Sequence, residues 1–494
     1  MADVELAPGR ATVLDRDFRM LVGGALCDAE DGAHLASTDP ATGALLAEVP
    51  NASAADVDRA VEAARAAQPA WAALALGERQ APLMEIAQVL RRRADELGLL
   101  DTLDSGNVYS AMRGDPIGAA GMVEYYAGLA SEVKGEVTQL DRNLHYTRRE
   151  PYGVVTKFLP FNHPMGSLGA ALAPPLLTGN CLILKPSPHT PLSALALATD
   201  LAGMLPPGVV NILTGSNDRV AEALVTHPGV PRMALQTSVE AGRSVMRRAA
   251  EHLKTVTLEL GGKNPLIVFP DADVGFAVDT AIAGMNFKWQ GHSCASTSRV
   301  LVHASLRDAF VDALVEKVTN VRVALPTDPK AEMGAITHAA QYQKILDYIE
   351  IGKAEGATLA CGGTRPQDPA LAGGLFITPA VFVDATPDMR IAREEIFGPV
   401  VTVMDWNSRE DMIAVANDVD YGLAAVIVTN DLDAAHITAE ALHVGYVEIN
   451  GPVSFALGSP FGGAKQSGIG REGSFDELLS YTQLKSVNLR LKRS

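Results

Sequence analysis

The chain has 494 residues, and its 58 acidic side chains outnumber its 41 Lys and Arg side chains, which gives a net charge of −17. This length exceeds one hydrophobic core and predicts two or more large domains, while the acidic balance argues against nucleic acid or an anionic membrane as a partner. Four widely spaced cysteines without a CxxC pair predict neither disulfides nor a metal site, and no apolar run approaches the roughly 20 residues of a membrane span. The expected setting is the reducing cytoplasm.

The first fifth of the chain predicts helices without catalytic residues. Ser53 is placed to cap a helix whose apolar face begins at Val57. A longer helix follows, with apolar residues at three-and-four spacing from Leu83 to Leu97, and we expect it to stop near Gly106.

From Gly153 onward, strand patterns alternate with stretches of helical length. Runs that are apolar on both faces and alternate with helices predict an α/β fold with a parallel sheet that is covered on two sides. Such sheets bind ligands beyond the carboxyl ends of their strands. The polar stretches expected at that edge are residues 160–164, 185–188, 214–216 and 236–242.

Lys185 is the charged residue at this edge that we expect to contact a ligand. A single lysine is most often an exposed surface residue, but Lys185 ends an apolar run and is followed by Pro186 and Pro188, which stiffen the turn. This setting favours a contact with a ligand such as a nucleotide. The full GxGxxG motif is absent, so the dinucleotide fingerprint is weak.

Cys294 and Glu259 are the candidate reactive residues. A free cysteine is usually a small buried hydrophobe, but Cys294 lies in a turn between an apolar helical pattern, residues 272–287, and a strand pattern, residues 299–302. A turn held by rigid elements is a suitable place for a nucleophile. Glu259 ends an apolar strand directly before two glycines, where an ionised carboxylate is costly and therefore indicates a use.

The second half continues the strand and helix alternation. Residues 393–400 predict a turn in which Glu395 and Phe397 could close over a ligand, although a plain turn is the simpler interpretation. Residues 460–472 contain too many glycines for a helix or a strand, so we expect a loop with unusual backbone angles.

These segments together resemble the aldehyde dehydrogenase superfamily, specifically its NAD(P)-dependent, non-acylating type, along nearly the whole chain. Any one segment could match by chance, but seven in the family's order are specific. The matching segments are residues 160–164, 185–187, 207–211 and 259–263, Gly291 with Cys294, residues 395–399 and residues 460–472.

The resemblance implies a role for each reactive residue. Cys294 would attack the aldehyde carbon to form a thiohemiacetal and then a thioester. Asn162 and the backbone amide of Cys294 would form the oxyanion hole, and Glu259 would act as general base. NAD would be the cofactor. Its expected contacts are Phe161, Lys185, Ser187, Gly215, Ser238, Leu260, Glu395 and Phe397, and the expected substrate pocket is His163, Ser167, Ala170, Ser293, Val453 and Phe455, which favours an aromatic or apolar aldehyde.

Three residues depart from the family's pattern. Pro188 stands where many members have a glutamate that binds the adenosine ribose, so NADP use stays open. Thr237 replaces the first glycine of the family's shortened fingerprint. Ala171 replaces a lysine on a proton-exit route, so that another base or water must serve.

The resemblance also implies two Rossmann-like α/β domains and a small β oligomerisation arm. The cofactor domain would comprise residues 1–130 and 151–260, the catalytic domain residues 261–475, and the arm residues 131–150 and 479–494. The strand patterns of the arm, residues 143–148 and 487–489, would be unpaired edges and predict a homodimer or homotetramer.

Two other functions remain as alternatives. A CoA-acylating relative would release the thioester to CoA, but such relatives generally lack the glutamate found here at position 259. A non-catalytic scaffold could keep the fold, but it would gain little from a buried carboxylate beside a reactive thiol.

Overall fold

Two large, mostly parallel sheets form the framework, which confirms the predicted α/β fold class. The computed structural model describes residues 9–140 and 143–490; parts of the predicted cofactor domain (residues 1–8) and arm (residues 141–142 and 491–494) lie outside this description. The strands are β1 Met20–Val22, β2 Ala25–Cys27, β3 His34–Thr38, β4 Leu45–Pro50, β5 Val137–Leu140, β6 Asn143–Pro151, β7 Val154–Phe158, β8 Cys181–Lys185, β9 Val210–Ile212, β10 Arg232–Gln236, β11 Thr255–Glu259, β12 Pro265–Val268, β13 Arg299–His303, β14 Thr358–Cys361, β15 Ala380–Val383, β16 Val400–Trp406, β17 Tyr421–Gly422, β18 Ala424–Val428, β19 Tyr446–Ile449, β20 Ala464–Lys465, β21 Gly468–Ile469 and β22 Thr482–Leu489.

Helices cover the faces of both sheets. Ser53 caps α2 as predicted: its hydroxyl accepts from the Asp56 amide, and the Asp56 carboxylate accepts from the Ser53 amide. The helices are α1 Arg10–Leu14, α2 Ala54–Ala73, α3 Leu76–Arg92, α4 Ala94–Ser105, α5 Tyr109–Met112, α6 Gly114–Leu129, α7 Pro164–Leu177, α8 Leu192–Met204, α9 Glu222–Thr226, α10 Val239–Ala249, α11 Val274–Gly284, α12 Arg307–Thr319, α13 Ala339–Ala354, α14 Arg390–Arg393, α15 Arg409–Asn417, α16 Leu432–Ala441 and α17 Phe475–Ser480.

The first sheet has the order β2-β1-β9-β8-β7-β10-β11-β21, and its strands β7 to β11 are parallel. The second has the order β14-β15-β16-β13-β12-β18-β19, in which only β14 is antiparallel to its neighbour. Every residue of β7, β8 and β12 is buried, as expected for strands that are covered on both faces. A third, antiparallel sheet has the order β22-β6-β5.

Two sequence-based expectations need correction. The long helix expected up to Gly106 is two helices, because the chain bends at Arg93 between α3 and α4; α4 does end at Gly106, in the left-handed conformation. The glycine-rich segment from Pro460 is not loop throughout, since β21 pairs antiparallel with the end of β11, placing Gly468 opposite Glu259. A β-carbon on Gly468 would lie 2.1 Å from the carbonyl oxygen of Leu258, so only glycine allows this approach.

Within residues 9–140 and 143–490, no helix combines the length and the apolar character needed to cross a membrane.

Candidate active site

One cavity of about 1080 Å³ lies beyond the carboxyl ends of the parallel strands. Its wall includes residues that follow β7, β8, β10 and β11 in the first sheet, together with the segment before β13 and the loop before β16. This is the edge at which an α/β sheet binds ligands. The strand order of both sheets therefore explains why residues far apart in the sequence meet here.

The cavity brings together nearly all of the residues predicted for the site. Gly215 is the exception: it is not among the lining residues, and a β-carbon there would meet Val220 and Asn51 instead. The geometry therefore gives no support to a cofactor contact at Gly215. The predicted residues that line the cavity are Cys294, Glu259, Asn162, Phe161, Lys185, Ser187, Ser238, Leu260, Glu395, Phe397, His163, Ser167, Ala170, Ser293, Val453 and Phe455.

The turn that carries Cys294 is held from several sides. Asn286 and Gln290 adopt positive φ values of 54° and 52°, which non-glycine residues rarely do, so the turn is strained and fixed by its surroundings. A β-carbon on Gly291 would lie 2.4 Å from the carbonyl oxygen of Gly398. The side-chain amide of Asn264 donates to the carbonyl oxygen of Cys294 at 2.7 Å. These contacts fix the position of the thiol.

Asn162 is buried beside this turn. Its side-chain NH₂ group donates to the carbonyl oxygen of His292 at 2.8 Å, and its own backbone carbonyl accepts from the Asn107 side chain at 2.8 Å. The NH₂ group has two hydrogens, so one N–H is left for a ligand in the cavity. Asn162 is therefore a preorganised donor next to the thiol.

Glu259 is buried, Cys294 is partly buried, and the two side chains interact with each other. Burial, followed by the charge of Glu472, raises the pKa of Glu259 to about 8, and contact with the Cys294 thiol partly opposes this shift. Burial and the nearby Glu259 raise the pKa of the Cys294 thiol well above its usual value. Without ligand the thiol is thus protonated, and a carboxylate with a near-neutral pKa lies next to it to take the proton.

The other end of the cavity carries groups that suit a dinucleotide. The buried ammonium of Lys185 donates to the Asn217 side chain at 3.1 Å, and burial lowers its pKa to about 8. Ser238 caps α10, whose first amide groups can bind a phosphate. The partly buried carboxylate of Glu395 accepts from the Gly262 amide at 3.0 Å and can accept from ribose hydroxyl groups. These donors and acceptors fit NAD or NADP.

An aromatic cluster adjoins the dinucleotide end. Phe161 packs edge-to-face against Phe397, with ring centroids 5.7 Å apart, and Phe397 has a φ of 56°. The rings of His189 and His338 stack at 4.0 Å, and both line the cavity. The ring of His292 stacks on Phe397 at 5.6 Å. This cluster gives the cavity a flat, apolar wall suited to a planar ring.

Several residues around the site were missed from the sequence. Glu472 and Asn264 lie inside or next to matching segments, so those segments could have indicated them. Asn107 lies in the loop between α4 and α5, and Asp115 lies at the start of α6, both outside the matching segments. The packing of α6 against α7 brings Asp115 to the cavity wall.

Comparisons with known proteins agree with this geometry. Residues 27–487 match the model of the aldehyde dehydrogenase family. The chain belongs to the aldehyde dehydrogenase family. It is 43% identical over 461 residues to aldehyde dehydrogenase tropH of Talaromyces stipitatus, covering 92% of this chain and 89% of that protein.

Solved aldehyde dehydrogenases share the whole fold. The NAD⁺ complex of the Bacillus cereus enzyme has a TM-score of 0.95 and 38% identity and covers 99% of each chain. Betaine aldehyde dehydrogenase from Staphylococcus aureus in complex with NAD⁺ has a TM-score of 0.94 and 32% identity and covers 97% of each chain. This aldehyde dehydrogenase is therefore an oxidoreductase that acts on aldehydes, as the resemblance implied.

Proposed function

We propose that this aldehyde dehydrogenase oxidises an aldehyde to the free carboxylic acid with NAD or NADP, using Cys294 as the nucleophile. The observation that carries the proposal is the convergence of Cys294, Glu259 and Asn162 on one cavity. Because Asn162 and Glu259 are buried and Cys294 is partly buried, water competes little with the interactions that they make with a bound aldehyde.

The first step uses the Cys294 and Glu259 pair. The thiol gives its proton to Glu259, and the thiolate attacks the aldehyde carbon, which forms the C–S bond of a thiohemiacetal. The negative charge that develops on the aldehyde oxygen is stabilised by the remaining N–H of Asn162 and by the backbone amide of Cys294. The bound cofactor supplies the hydride acceptor, and a thioester on Cys294 remains.

Glu259 first releases to solvent the proton that it took from Cys294, and the regenerated carboxylate then completes the reaction as general base in hydrolysis of the thioester. It removes a proton from a water molecule, whose oxygen attacks the thioester carbon and displaces the Cys294 sulfur as the acid leaves. The alternative acceptor is CoA, which would give an acyl-CoA product. The presence of Glu259 favours water as the acyl acceptor, because the thiol of CoA does not require this general base.

For the cofactor we propose NAD, with NADP use left open by Pro188. Lys185, Ser187 and Ser238 provide contacts for ribose and phosphate, and Glu395 accepts from the second ribose. The solved relatives from B. cereus and S. aureus support NAD, since both were obtained in complex with NAD⁺. Pro188, which lines the cavity, offers no carboxylate to repel a 2′-phosphate.

For the substrate we propose an aromatic or otherwise bulky apolar aldehyde. Phe455 is 53% exposed and packs edge-to-face on Phe461, with ring centroids 4.7 Å apart; both rings line the cavity. Ser167 and Ala170 line it with short side chains.

The wider assignments follow the same proposal. We assign residues 1–130 and 151–260 to the cofactor domain, residues 261–475 to the catalytic domain, and residues 131–150 and 479–494 to an arm that joins copies of this chain. The four cysteines are free thiols, and a reactive Cys294 favours a reducing compartment such as the cytoplasm.

The test is the absorbance of reduced nicotinamide with a panel of aldehydes, with NAD or NADP, and with and without CoA. We expect reduction without CoA, a free acid as product, and complete loss in Cys294→Ala. A rate that depends on CoA would replace the proposal with the acylating alternative. If no aldehyde of the panel reduced either cofactor, the non-catalytic scaffold would be favoured.

A further inference from the structure

His163, the residue after Asn162, forms a pair with Asp115 at the cavity wall. The Nδ1 atom of His163 lies 3.0 Å from Oδ2 of Asp115, and the His163 ring packs against Trp289 with centroids 5.0 Å apart and the ring planes tilted by 39°. A β-carbon on Gly166 would lie 3.1 Å from the same Asp115 oxygen, so the glycine leaves room for the carboxylate. The imidazole is therefore held by a carboxylate at one nitrogen and by an indole ring at its face.

This pairing decides what the other ring nitrogen can do. An ionised carboxylate only accepts hydrogen bonds, so Nδ1 of His163 carries the hydrogen, and Nε2 of the neutral ring is an acceptor. Among the described residues Nε2 has no hydrogen-bond partner, and His163 lines the cavity with a side chain that is 31% exposed. A bound molecule can therefore place a hydrogen-bond donor on Nε2.

The charge of the surrounding wall narrows the choice of donor. The part of the wall formed by α6, by the start of α7 and by residues 453–461 carries Asp115 and, in the part of the chain that the structure describes, no Lys or Arg. An aldehyde with a carboxylate group would meet Asp115 without a compensating cation. A neutral hydroxyl group can donate a hydrogen bond to Nε2 without placing a second negative charge near Asp115.

The shape of the same wall indicates which kind of substrate skeleton carries the hydroxyl group. Gly114, Gly118 and Gly121 recur at helical spacing on α6 and line the cavity, and a β-carbon on any of them would meet nothing within 4 Å. The rings of Trp289 and Phe455 also line the cavity. The space left by the glycines and bounded by these rings accommodates a planar aromatic ring.

We propose that His163, fixed by Asp115, selects an aromatic aldehyde that bears a hydroxyl group, which donates its hydrogen to Nε2. The proposal rests on the proposed function and adds to it the substrate class and the residue that recognises it. His163 takes no part in bond making; it is a specificity residue of the substrate pocket.

The experiment compares the three hydroxybenzaldehyde isomers with the matched methoxybenzaldehydes, 4-carboxybenzaldehyde and benzaldehyde at slightly alkaline pH. We expect kcat/KM for at least one hydroxy isomer to exceed that of its methoxy analogue about tenfold, the value of one hydrogen bond. The His163→Phe variant keeps an aromatic ring next to Trp289 but has no nitrogen to accept a hydrogen bond. Its ratio of kcat/KM for the hydroxy isomer to kcat/KM for the methoxy analogue should fall to about one, even if both absolute rates change.

Two further variants separate recognition from general damage. In Asp115→Asn the amide can donate to Nδ1, which turns Nε2 into a donor, so the hydroxy-to-methoxy ratio should fall below that of the wild type. His303→Phe makes the same change at a histidine that packs on Trp406 outside the cavity wall, and it should keep the wild-type ratio.

Three outcomes would overturn the proposal: equal rates for hydroxy and methoxy pairs, an unchanged ratio in His163→Phe, or 4-carboxybenzaldehyde as the best aromatic substrate. Efficient oxidation of aliphatic aldehydes alone would also overturn it while leaving the proposed function intact. The proposed function itself fails on different results, namely if no aldehyde reduces either cofactor or if reduction depends on CoA.

Discussion

At the scale of single residues, the site combines two groups whose burial disfavours their charged forms. Burial raises the pKa of both Glu259 and Cys294. A thiol with a raised pKa is a poor nucleophile unless a base takes its proton, and a carboxylate whose pKa is about 8 is a stronger base than an exposed one. The raised pKa of Glu259 therefore makes it a suitable base for the proton that the raised pKa of Cys294 keeps on the thiol.

The pH dependence of activity follows from this pairing. Because only ionised Glu259 can accept the proton, we expect kcat/KM to rise with pH and to level off above about 8. Glu259→Gln should lower the rate by about 10²–10⁴-fold and remove this rising limb. Stopped-flow or steady-state rates across the pH range measure both effects, and a limb that persisted in Glu259→Gln would assign it to another group.

The same carboxylate should make stability depend on pH. Its pKa is 4.5 for an ordinary glutamate and about 8 here, so between these values the folded protein binds more protons than the unfolded chain, and stability falls as pH rises. The Glu259→Gln variant does not lose stability in this way. Its melting temperature should therefore rise relative to that of the wild type between pH 5 and pH 9, a span of about four pH units that includes the shifted pKa. A constant difference between the two melting curves would contradict the assignment.

Lys157 is a buried cation whose charge acts on Glu259. Its Nζ atom lies 2.5 Å from Glu472 and 3.8 Å from Glu477. Burial lowers the pKa of the ammonium, but Glu472, Tyr481 and Glu477 together outweigh burial and raise this pKa. Ala171, where some relatives have a lysine, is fully buried and offers no polar atom. The positive charge next to Glu472 thus comes from β7.

Removal of this cation should be costly. Lys157→Met leaves Glu472 and Glu477 without their buried partner, and we expect a loss of about 3–5 kcal/mol in the free energy of unfolding, measured with urea. Lys353→Met is the control, because Lys353 pairs with Glu350 at the surface and should cost less than about 1 kcal/mol. Equal losses for both variants would mean that the buried pair contributes no more than a surface pair.

At the scale of elements, α6 shapes the aldehyde side of the cavity. Its glycines at positions 114, 118 and 121 lie on one face because residues three and four apart are neighbours on a helix. Added side chains there would fill the cavity instead of meeting protein atoms. The helix can thus be used to change the pocket without disturbing the core.

Gly118→Leu should narrow the pocket selectively. We expect kcat/KM for aromatic aldehydes to fall roughly tenfold or more, with a smaller effect on short aliphatic aldehydes, because only the larger ring needs this space. Gly128→Leu makes the same change at an exposed position of α6 outside the cavity wall and should leave the ratio between the two substrate classes unchanged. Equal losses for both classes would place Gly118 outside the substrate path.

Elements were predicted from the sequence where the local pattern decides the structure. The runs that became β7 and β8 are buried along their whole length, and Ser53 marks the start of α2 through its own cap. The break at Arg93 and the pairing of β21 with β11 were missed, because each depends on contacts with distant parts of the chain. Asp115 was missed for the same reason: its role depends on α7 lying beside it.

At the scale of the whole molecule, the three-stranded sheet β22-β6-β5 carries an unusual amount of exposed apolar surface. Val137 is 71% exposed, and Leu144 and Leu489, which pair across β6 and β22, are 37% and 49% exposed. Val137 pairs with Tyr146, two residues from Leu144, so the three side chains lie on one face. Exposed apolar patches at sheet edges favour association with another chain.

Assembly should therefore depend on this face. In a variant that combines Val137→Glu with Leu144→Glu, burial of the face against a second copy would bury two carboxylates, so we expect a shift to a smaller species in light scattering after size exclusion. Leu432→Glu is the control, because Leu432 is equally exposed, at 74%, but begins α16 far from this sheet in the sequence. If the double variant kept the wild-type mass, the arm would not hold the copies together, and the apolar face would need another partner.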